Sequence, residues 1–340
     1  MKYRIITHGG CTDGYCSAFV VKKYFNIIFG TQLNEEDVRK IEVIGLAPYD
    51  VQTGEFEFSE KDIVLDLPRP EVDIFFWADH HVTNKPFREL SKNENWKNTP
   101  SCAGFLLELV AEKGAKLSGE TLQFRKAIDI IDDAEYTKKD IQLCFYKQDN
   151  YDIDSPLLKL HIISAMFHTR DRNLNDEIFR TLLSSNLGET PLSSEELWKL
   201  NPLMFHKAQL QGYEDWRENL DTYVYYDEKA KCVVQDDRKT KFSKGVVDRF
   251  YVHIKFPQTS YSVNLRIIDE EKARFGLGSN IFHKYRCKID LGKLCKVTAE
   301  KFGESSGGGH FYVGGGTISL DKIDEALKFI LKCLAEGKIE

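Results

Sequence analysis

The first third of the chain repeats short apolar runs that end on polar residues. The predicted strands are 3–8, 43–46, 62–67 and 74–78. A glycine-rich turn over 9–14 follows the first run, and a helical pattern over 15–25 follows the turn. A strand, a glycine-rich turn and a helix in this order are typical of a doubly wound α/β domain with a mainly parallel sheet. Such domains bind ligands at the carboxyl ends of their strands.

The remainder of the chain divides into a helical part and a second strand-rich part. Ser101 is the predicted N-cap of a helix over 103–112, and the pattern is mostly helical from about 122 to 218. The later strands are predicted at 223–225, 246–256 and 261–268, and the later helices at 291–301 and 320–334. We therefore expect two domains, 1–215 and 216–340, the second being a smaller α/β domain with a mixed sheet.

Composition excludes several classes of protein. The 340 residues are 42% hydrophobic and 29% charged, which is typical of a globular chain rather than a disordered one. The 47 Lys and Arg against 53 Asp and Glu give a net charge of −6, so long duplex DNA is not an expected partner. We find no apolar run long enough for a membrane span and no signal peptide, so eight reduced cysteines and a cytoplasmic location are expected.

Histidine and aspartate recur where the predicted strands end. His8 ends the first strand, Asp66 lies in the third, and Asp79-His80-His81 follows the fourth. Since these ends share one edge of a parallel sheet, they can meet Asp13 and a late aspartate there, although Asp79-His80-His81 alone is equally compatible with a surface turn. Mixed carboxylate and imidazole ligands suit a two-metal hydrolytic site with manganese or magnesium.

These motifs resemble the DHH phosphoesterase superfamily, which is named after Asp79-His80-His81. The matching segments in the first domain are His8-Gly9-Gly10-Cys11-Thr12-Asp13-Gly14, Asp66, Asp79-His80-His81 and Asp129-Ile130-Ile131-Asp132. In the second domain they are Ser262-Val263-Asn264-Leu265-Arg266, Gly278-Ser279-Asn280 and Gly307-Gly308-Gly309-His310, which are similar to the DHH-associated domain of the nanoRNase, RecJ-like and oligoribonuclease branch. The resemblance covers nearly the whole chain.

The resemblance implies a set of ligands for two divalent ions, with manganese favoured and magnesium as the alternative. They are His8, Asp13, Asp66, His80 and one aspartate of the fourth motif, for which Asp129 is favoured over Asp132, with Asp133 as the next alternative. Asp79 and His81 are the catalytic candidates, and His81 is expected to touch the scissile phosphate or to orient the site.

One position departs from the family pattern. Many relatives carry two aspartates separated by one residue in the first motif, whereas here Cys11 stands two before Asp13. Cys11 is interpreted either as a ligand for a softer metal or as a small buried packing residue, which is the commoner role of a free cysteine.

The second domain is expected to bind the substrate. Its candidates are Arg266, Asn280, Gly307, Gly308, Gly309 and His310. Consecutive glycines let backbone N–H groups approach an anion, Arg266 offers a bidentate donor for phosphate, and His310 can contact a phosphate or a base. The resemblance then places the active site in an interdomain cleft.

We therefore expect a two-metal phosphoesterase acting on short oligonucleotides or small nucleotides, as a monomer or a homodimer, without membrane association. The alternatives are a RecJ-like single-strand exonuclease and a nucleotide-binding module without turnover. A phosphatase for inorganic pyrophosphate is a further alternative, which the Gly-Gly-Gly-His motif disfavours.

Overall fold

The chain folds into two compact units. The computed structural model describes residues 2–151, 154–167, 183, 188–193, 195–239, 248–303 and 307–339. The first unit comprises Met1–Glu135 and Lys147–Ala208, and the second comprises Tyr136–Tyr146 and Gln209–Glu340. The change of unit after Ala208 lies near the expected boundary at 215, but an earlier segment also joins the second unit.

Aromatic packing and a hydrogen bond to a backbone carbonyl hold that earlier segment in the second unit. The ring of Phe145 stacks on Tyr213 at 5.6 Å between centroids and meets Phe250 edge-on at 5.1 Å. Arg217 Nη2 donates to the carbonyl of Phe145 at 2.8 Å. None of these partners is close to Phe145 in sequence, so the sequence pattern gave no sign of the excursion.

The strands and helices of the described residues are numbered here in chain order. The strands are β1 (Arg4–His8), β2 (Glu42–Leu46), β3 (Asp62–Leu65), β4 (Phe76–Asp79), β5 (Glu94–Trp96), β6 (Val224–Asp227), β7 (Cys232–Asp236), β8 (Tyr261–Ile267), β9 (Lys272–Ser279), β10 (Gly307–His310) and β11 (Val313–Ser319). The helices are α1 (Thr12–Lys23), α2 (Phe25–Phe29), α3 (Glu35–Arg39), α4 (Pro48–Gln52), α5 (Cys102–Glu112), α6 (Gly119–Asp132), α7 (Lys138–Phe145), α8 (Pro156–Phe167), α9 (Glu195–Lys199), α10 (Pro202–Glu218), α11 (Tyr251–Lys255), α12 (Leu291–Phe302) and α13 (Ile323–Glu336). No helix in these ranges is both long enough and apolar enough to cross a bilayer.

The first unit is built on a parallel sheet. Its strand order is β2-β1-β3-β4-β5, and every neighbouring pair is parallel. Ile6 and Val64 pack with Val51 of α4 and with Trp77 on one face, while α1 contacts β1 and β3. Because both faces are covered, the central strands β3 and β4 are buried at every residue, as expected of a parallel sheet. The predicted α/β architecture is confirmed.

Sequence patterns predicted the start of one helix in the first unit but missed one strand. Ser101 is the N-cap of α5, and its Oγ accepts from Gly104 N at 2.9 Å, as predicted. Strand β5 was not predicted, since its three residues are polar or aromatic without alternation. Strand β5 forms because its backbone pairs in parallel with that of β4.

The second unit is built on a mixed sheet. Its strand order is β10-β11-β9-β8-β7-β6, and only the β7–β8 pair is parallel among the described strands. One face of the sheet packs on α12 and α13 through a core that includes Val263, Phe275 and Leu294. This architecture agrees with the predicted smaller α/β domain.

The predicted strand at 246–256 is wrong, because a short helix, α11, occupies part of that range. Asp248 Oδ1 accepts hydrogen bonds from the backbone N–H groups of Phe250 and Tyr251. These bonds stabilise a helical turn at the start of α11. Val252 then packs against Trp216 and Val233. Strand β7, which contains Val233, was missed by the sequence analysis.

Candidate metal centre

Three neighbouring strands bring polar side chains to one edge of the parallel sheet. His8 is the last residue of β1, Asp66 directly follows β3, and His80 directly follows β4. Asp66 has a positive φ of 55°, a left-handed conformation that is uncommon outside glycine and tolerated best by Asn and Asp. Backbone strain of this kind concentrates at functional sites.

Asp66 lies between two groups of side chains. Its Oδ2 is 3.4 Å from His8 Nδ1, and its Oδ1 is 3.4 Å from His80 Nε2. The carboxylate is 1% exposed, and neither oxygen accepts a hydrogen bond from the described residues. A buried carboxylate that accepts no hydrogen bond is costly unless neighbouring imidazoles or a bound cation compensate its charge.

The two groups each contain three possible metal-ligand atoms. The first group is His8, Cys11 and Asp66, and the second is Asp13, His80 and Asp132; within each group the ligand atoms lie within 4.8 Å of one another. His80 Nε2 is 3.6 Å from Asp13 Oδ2 and 3.3 Å from Asp132 Oδ2. Asp66 therefore belongs to the first group while one of its oxygens faces His80 of the second.

The second group is held in place by backbone atoms. His80 Nδ1 is 2.9 Å from the carbonyl oxygen of Thr99, a contact that fixes the tautomer in which Nε2 carries the lone pair. Asp13 accepts from the N–H groups of Cys102 and Ala103, at 2.7 and 2.9 Å, in the first turn of α5. Metal-bound histidines almost always make this kind of second hydrogen bond.

Glycine is required where the first turn meets α1. A Cβ atom on Gly14 would lie 2.2 Å from the carbonyl oxygen of His8. Only glycine lets the first turn of α1 approach the end of β1 so closely, and that approach sets His8 and Asp13 side by side.

Asp79 orients His81. Asp79 Oδ1 lies 2.7 Å from His81 Nδ1, and Asp79 Oδ2 accepts from Asn84 Nδ2 at 2.7 Å. Burial would lower the pKa of His81, but the Asp79 carboxylate outweighs burial and raises it. Asp79 is thus a positioning residue for the imidazole, and its carboxylate also lies within 4.8 Å of the ligand atoms of Asp66, His80 and His81.

The structure favours Asp132 over Asp129 as the fourth-motif aspartate. Asp129 Oδ1 accepts from Ser101 Oγ at 2.5 Å, and Asp129 Oδ2 is 3.6 Å from Arg125 Nε. Asp132, one turn later in α6, is the residue that faces His80. Asp133 is the C-cap of α6 and belongs to neither group of clustered ligands in the described chain.

The electrostatics of the cluster are those of a site built for cations. Burial raises the pKa of Asp13 well above its usual range, with repulsion from Asp66 and Asp132 adding to the effect. Burial likewise raises the pKa of Asp132 to about 6, with His80 opposing and Asp66 adding. Burial would also raise the pKa of Asp66, but its contacts with His8 and His80 hold it below the usual range. Divalent cations would relieve this crowding of carboxylates, and the donor set fits them.

Three of the expected substrate-binding residues share the outward face of the second sheet. Arg266 lies on β8 and His310 on β10, and the register continues across β9 and β11 to place Gly308 on the same face. Burial raises the pKa of Asp237 to about 7, while the nearby guanidinium of Arg266 opposes the effect.

The other three expected residues have structural duties. Asn280 is fully buried; its Nδ2 donates to Thr259 O at 3.0 Å, and its Oδ1 accepts from Phe282 N at 3.0 Å. A Cβ atom on Gly307 would lie 2.6 Å from Cys295 O of α12, and Gly309, at φ 144°, would meet Val313 O at 2.4 Å. These contacts give the three residues a structural role, and their expected part in substrate binding stays a prediction.

The sequence analysis missed the groups that orient the cluster. The carbonyl of Thr99, the N–H groups of Cys102 and Ala103, and the side chain of Asn84 all serve this purpose. Most of these groups are backbone atoms, which nearly every residue type carries, so the sequence could not reveal them. Asn84 alone, three residues after His81, could have been noticed as a polar side chain near the motif.

Comparison with known proteins gives a fold rather than a sequence family. The sequence matches no protein-family model, and no curated protein shows significant similarity to it. Among solved structures, the pGpG-specific phosphodiesterase PggH from Vibrio cholerae is similar with a TM-score of 0.62 and 18% identity, over 99% of this chain and 100% of that one. The DHH domain of a member of the S1p family of ribosomal proteins is similar with a TM-score of 0.51 and 15% identity, over 99% and 87%. The chain has the DHH fold.

A further structure with this fold is much longer than the chain. RecJ from Thermus thermophilus, crystallised with Mn²⁺, is similar with a TM-score of 0.53 and 12% identity, over 98% of this chain. The chain spans 52% of that RecJ chain. The predicted resemblance is confirmed for the fold.

Proposed function

We propose that this chain is a metal-dependent phosphoesterase that hydrolyses phosphate ester bonds in short oligonucleotides or small nucleotides. The observation that carries the proposal is the position of Asp66. Its buried carboxylate lies between His8 and His80 and accepts no hydrogen bond from the described chain. A carboxylate shared by two groups of ligands is suited to a two-metal site.

The ligand assignment follows the geometry. His8 and Asp66 would hold one divalent ion, and Asp13, His80, Asp132 and the second oxygen of Asp66 would hold the other. Bound ions would supply a water of lowered pKa and would neutralise charge on the phosphoryl oxygens. Manganese is our preferred ion and magnesium the alternative, since oxygen and imidazole ligands suit both.

The chain's own residues position the substrate. His81, oriented by Asp79 through Nδ1, would present Nε2 to the scissile phosphate. Arg266, His310 and the backbone of Gly308 would bind a further phosphate or a base on the outward face of the second sheet. A phosphate held by His81 beside the metal ions would align the ester bond with the attacking water.

The fold and the charge narrow the substrate class. A pGpG-specific phosphodiesterase and RecJ share this fold, and the net charge of −6 disfavours long duplex DNA. We therefore place dinucleotides and short single strands ahead of polymers. A RecJ-like exonuclease on longer single strands is the alternative enzyme.

A metal-supplemented hydrolysis panel tests the proposal. The panel contains pyrophosphate, 3′-phosphoadenosine-5′-phosphate, a cyclic dinucleotide, and short RNA and DNA oligomers. We expect Mn²⁺-dependent release of mononucleotide from a dinucleotide. Asp66→Asn should lower kcat/KM by about 100-fold or more, because even groups that only orient metal ligands are worth 10–100-fold. Asparagine suits the left-handed backbone at this position, so the variant should fold.

The second candidate function is a nucleotide-binding module without turnover. Cys11 favours it, because this position departs from the two-aspartate pattern of many relatives. Tight binding of a dinucleotide without hydrolysis under any metal, and with no effect of Asp66→Asn on binding, would establish this alternative.

A further inference from the structure

Cys11 differs from every other cysteine in the chain. All eight cysteines lie in the described residues, and seven of them are buried while Cys11 is half-buried. It is the N-cap residue of α1, with extended backbone, and its side chain makes no capping hydrogen bond. The sulfur is therefore not used for capping. Its partial exposure favours the interpretation of Cys11 as a ligand over that of a buried packing residue.

The thiol of Cys11 faces two other possible ligands. Its sulfur, an imidazole nitrogen of His8 and a carboxylate oxygen of Asp66 all lie within 4.8 Å of one another. Asp66 supplies an independent sign of a ligand here, because its Oδ2 is buried and accepts no hydrogen bond from the described chain. A sulfur, a nitrogen and an oxygen thus converge on one point beside β1.

The two groups around Asp66 differ in donor chemistry. The group of His8, Cys11 and Asp66 offers a thiolate, whereas Asp13, His80 and Asp132 offer only oxygen and imidazole nitrogen. Thiolate ligands favour zinc and other thiophilic ions, and carboxylates favour manganese and magnesium. The difference lies within one site, between two places that share Asp66.

We propose that Cys11 is a metal ligand and that its group binds a thiophilic divalent cation, of which Zn²⁺ is the reference, while the other group keeps an oxygen-preferring ion. The proposal deepens the proposed function, since it concerns the same site. As the sulfur–metal bond forms, the thiol proton passes to solvent, so the thiolate is the ligand. The centre would then hold two unlike metals.

Cobalt titration of the metal-free protein provides a direct test. Co²⁺ bound by a thiolate shows a sulfur-to-cobalt charge-transfer band in the near ultraviolet, and this band does not depend on turnover. We expect the band in the wild type, its loss in Cys11→Ser, and its retention in Cys16→Ala. Cys16 is the matched control, because it lies in α1 and is fully buried. Serine is a favourable N-cap, so Cys11→Ser should keep α1 intact.

A band that survives in Cys11→Ser, or that is missing from the wild type, would overturn the proposal. Cys11→Asp provides a second variant, because aspartate is also a favourable N-cap. It should weaken Zn²⁺ binding by about tenfold or more and leave Mn²⁺ binding within a few-fold, given that a direct ligand is worth at least as much as an outer partner. Equal losses for both ions would contradict the assignment.

Alkylation tests the wild-type protein without a variant. Cys11 is the accessible thiol among the eight, so iodoacetamide should label it first, and Zn²⁺ should protect it more than Mn²⁺ does. Labelling unaffected by Zn²⁺ would overturn the proposal. These results are separate from the proposed function. If the protein hydrolyses a dinucleotide with Mn²⁺ but shows no thiolate signature, the proposed phosphoesterase activity stands and only the ligand role of Cys11 fails.

Discussion

Asp132→Asn should make the metal-free protein more stable and should also abolish the proposed hydrolysis of dinucleotides. In the wild type, burial raises the pKa of Asp132 from 3.8 to about 6, with repulsion from Asp66 adding to the effect. Holding this carboxylate ionised at neutral pH without a metal therefore costs about 2–3 kcal/mol, since a tenfold change in proton affinity is about 1.4 kcal/mol. Asparagine removes that cost, and it also removes a ligand from the group of Asp13 and His80.

Asp129→Asn is the matched control, because it makes the same change three residues earlier in α6. It weakens the hydrogen bond from Ser101 Oγ and the pair with Arg125. Burial also raises the pKa of Asp129, but Ser101 and Arg125 oppose the effect, so we expect the free energy of unfolding to rise less than in Asp132→Asn. Activity should stay within a few-fold of the wild type.

Chemical denaturation in chelator and in Mn²⁺, together with dinucleotide hydrolysis, measures both variants. The wild type should gain stability from Mn²⁺, and Asp132→Asn should gain much less because binding stabilises only a folded site that still binds. The reasoning is refuted if Asp129→Asn loses hydrolysis while Asp132→Asn keeps it. It is also refuted if Asp132→Asn destabilises the metal-free protein.

Three further predictions concern the backbone, the acid stability and the second unit. Gly14→Ala should reduce both thermal stability and Mn²⁺ affinity, because its Cβ would lie 2.2 Å from His8 O; unchanged affinity in a calorimetric titration would count against this. Burial lowers the pKa of His253 to about 3. As the pH falls below 6.5, His253 therefore becomes protonated in the unfolded chain but stays neutral in the folded chain. Unfolding at pH 5 should therefore be easier than at pH 7 by about 2 kcal/mol from this residue, and a variant His253→Gln that keeps the same pH slope would disprove it. Gly307→Ala should lower stability rather than substrate affinity alone, because its Cβ would lie 2.6 Å from Cys295 O; a normal melting temperature with raised KM would show the opposite.

The sequence predicted the parts of the fold that local rules determine. Apolar runs ending on polar residues gave β1, β3 and β4, and the N-cap preference of serine gave the start of α5 at Ser101. The strand-end placement of His8, Asp66 and His80 followed from the geometry of a parallel sheet. The resemblance then ordered these residues into one site, which the structure brings together.

The rest depended on contacts between distant parts of the chain. Asp129 and Asp132 lie three residues apart on the same helix, so the pattern alone could not separate them; the hydrogen bond from Ser101 does. Composition similarly could not show that Cys11 is half-buried beside His8, since free cysteines are usually buried. The short helix α11 formed despite the β-branched and aromatic residues of this segment, because Asp248 Oδ1 accepts from the N–H groups of Phe250 and Tyr251 just before it.

Anomalous diffraction from crystals soaked in Mn²⁺ tests the central claim most directly. The account predicts two ions about 3.5–4 Å apart, one on each side of the Asp66 carboxylate, the usual spacing of two-metal sites. One should contact His8 and the other His80 with Asp13 and Asp132. Anomalous peaks away from Asp66, or no peak at bonding distance from His8 and His80, would contradict the two-metal centre and the hydrolytic function proposed from it.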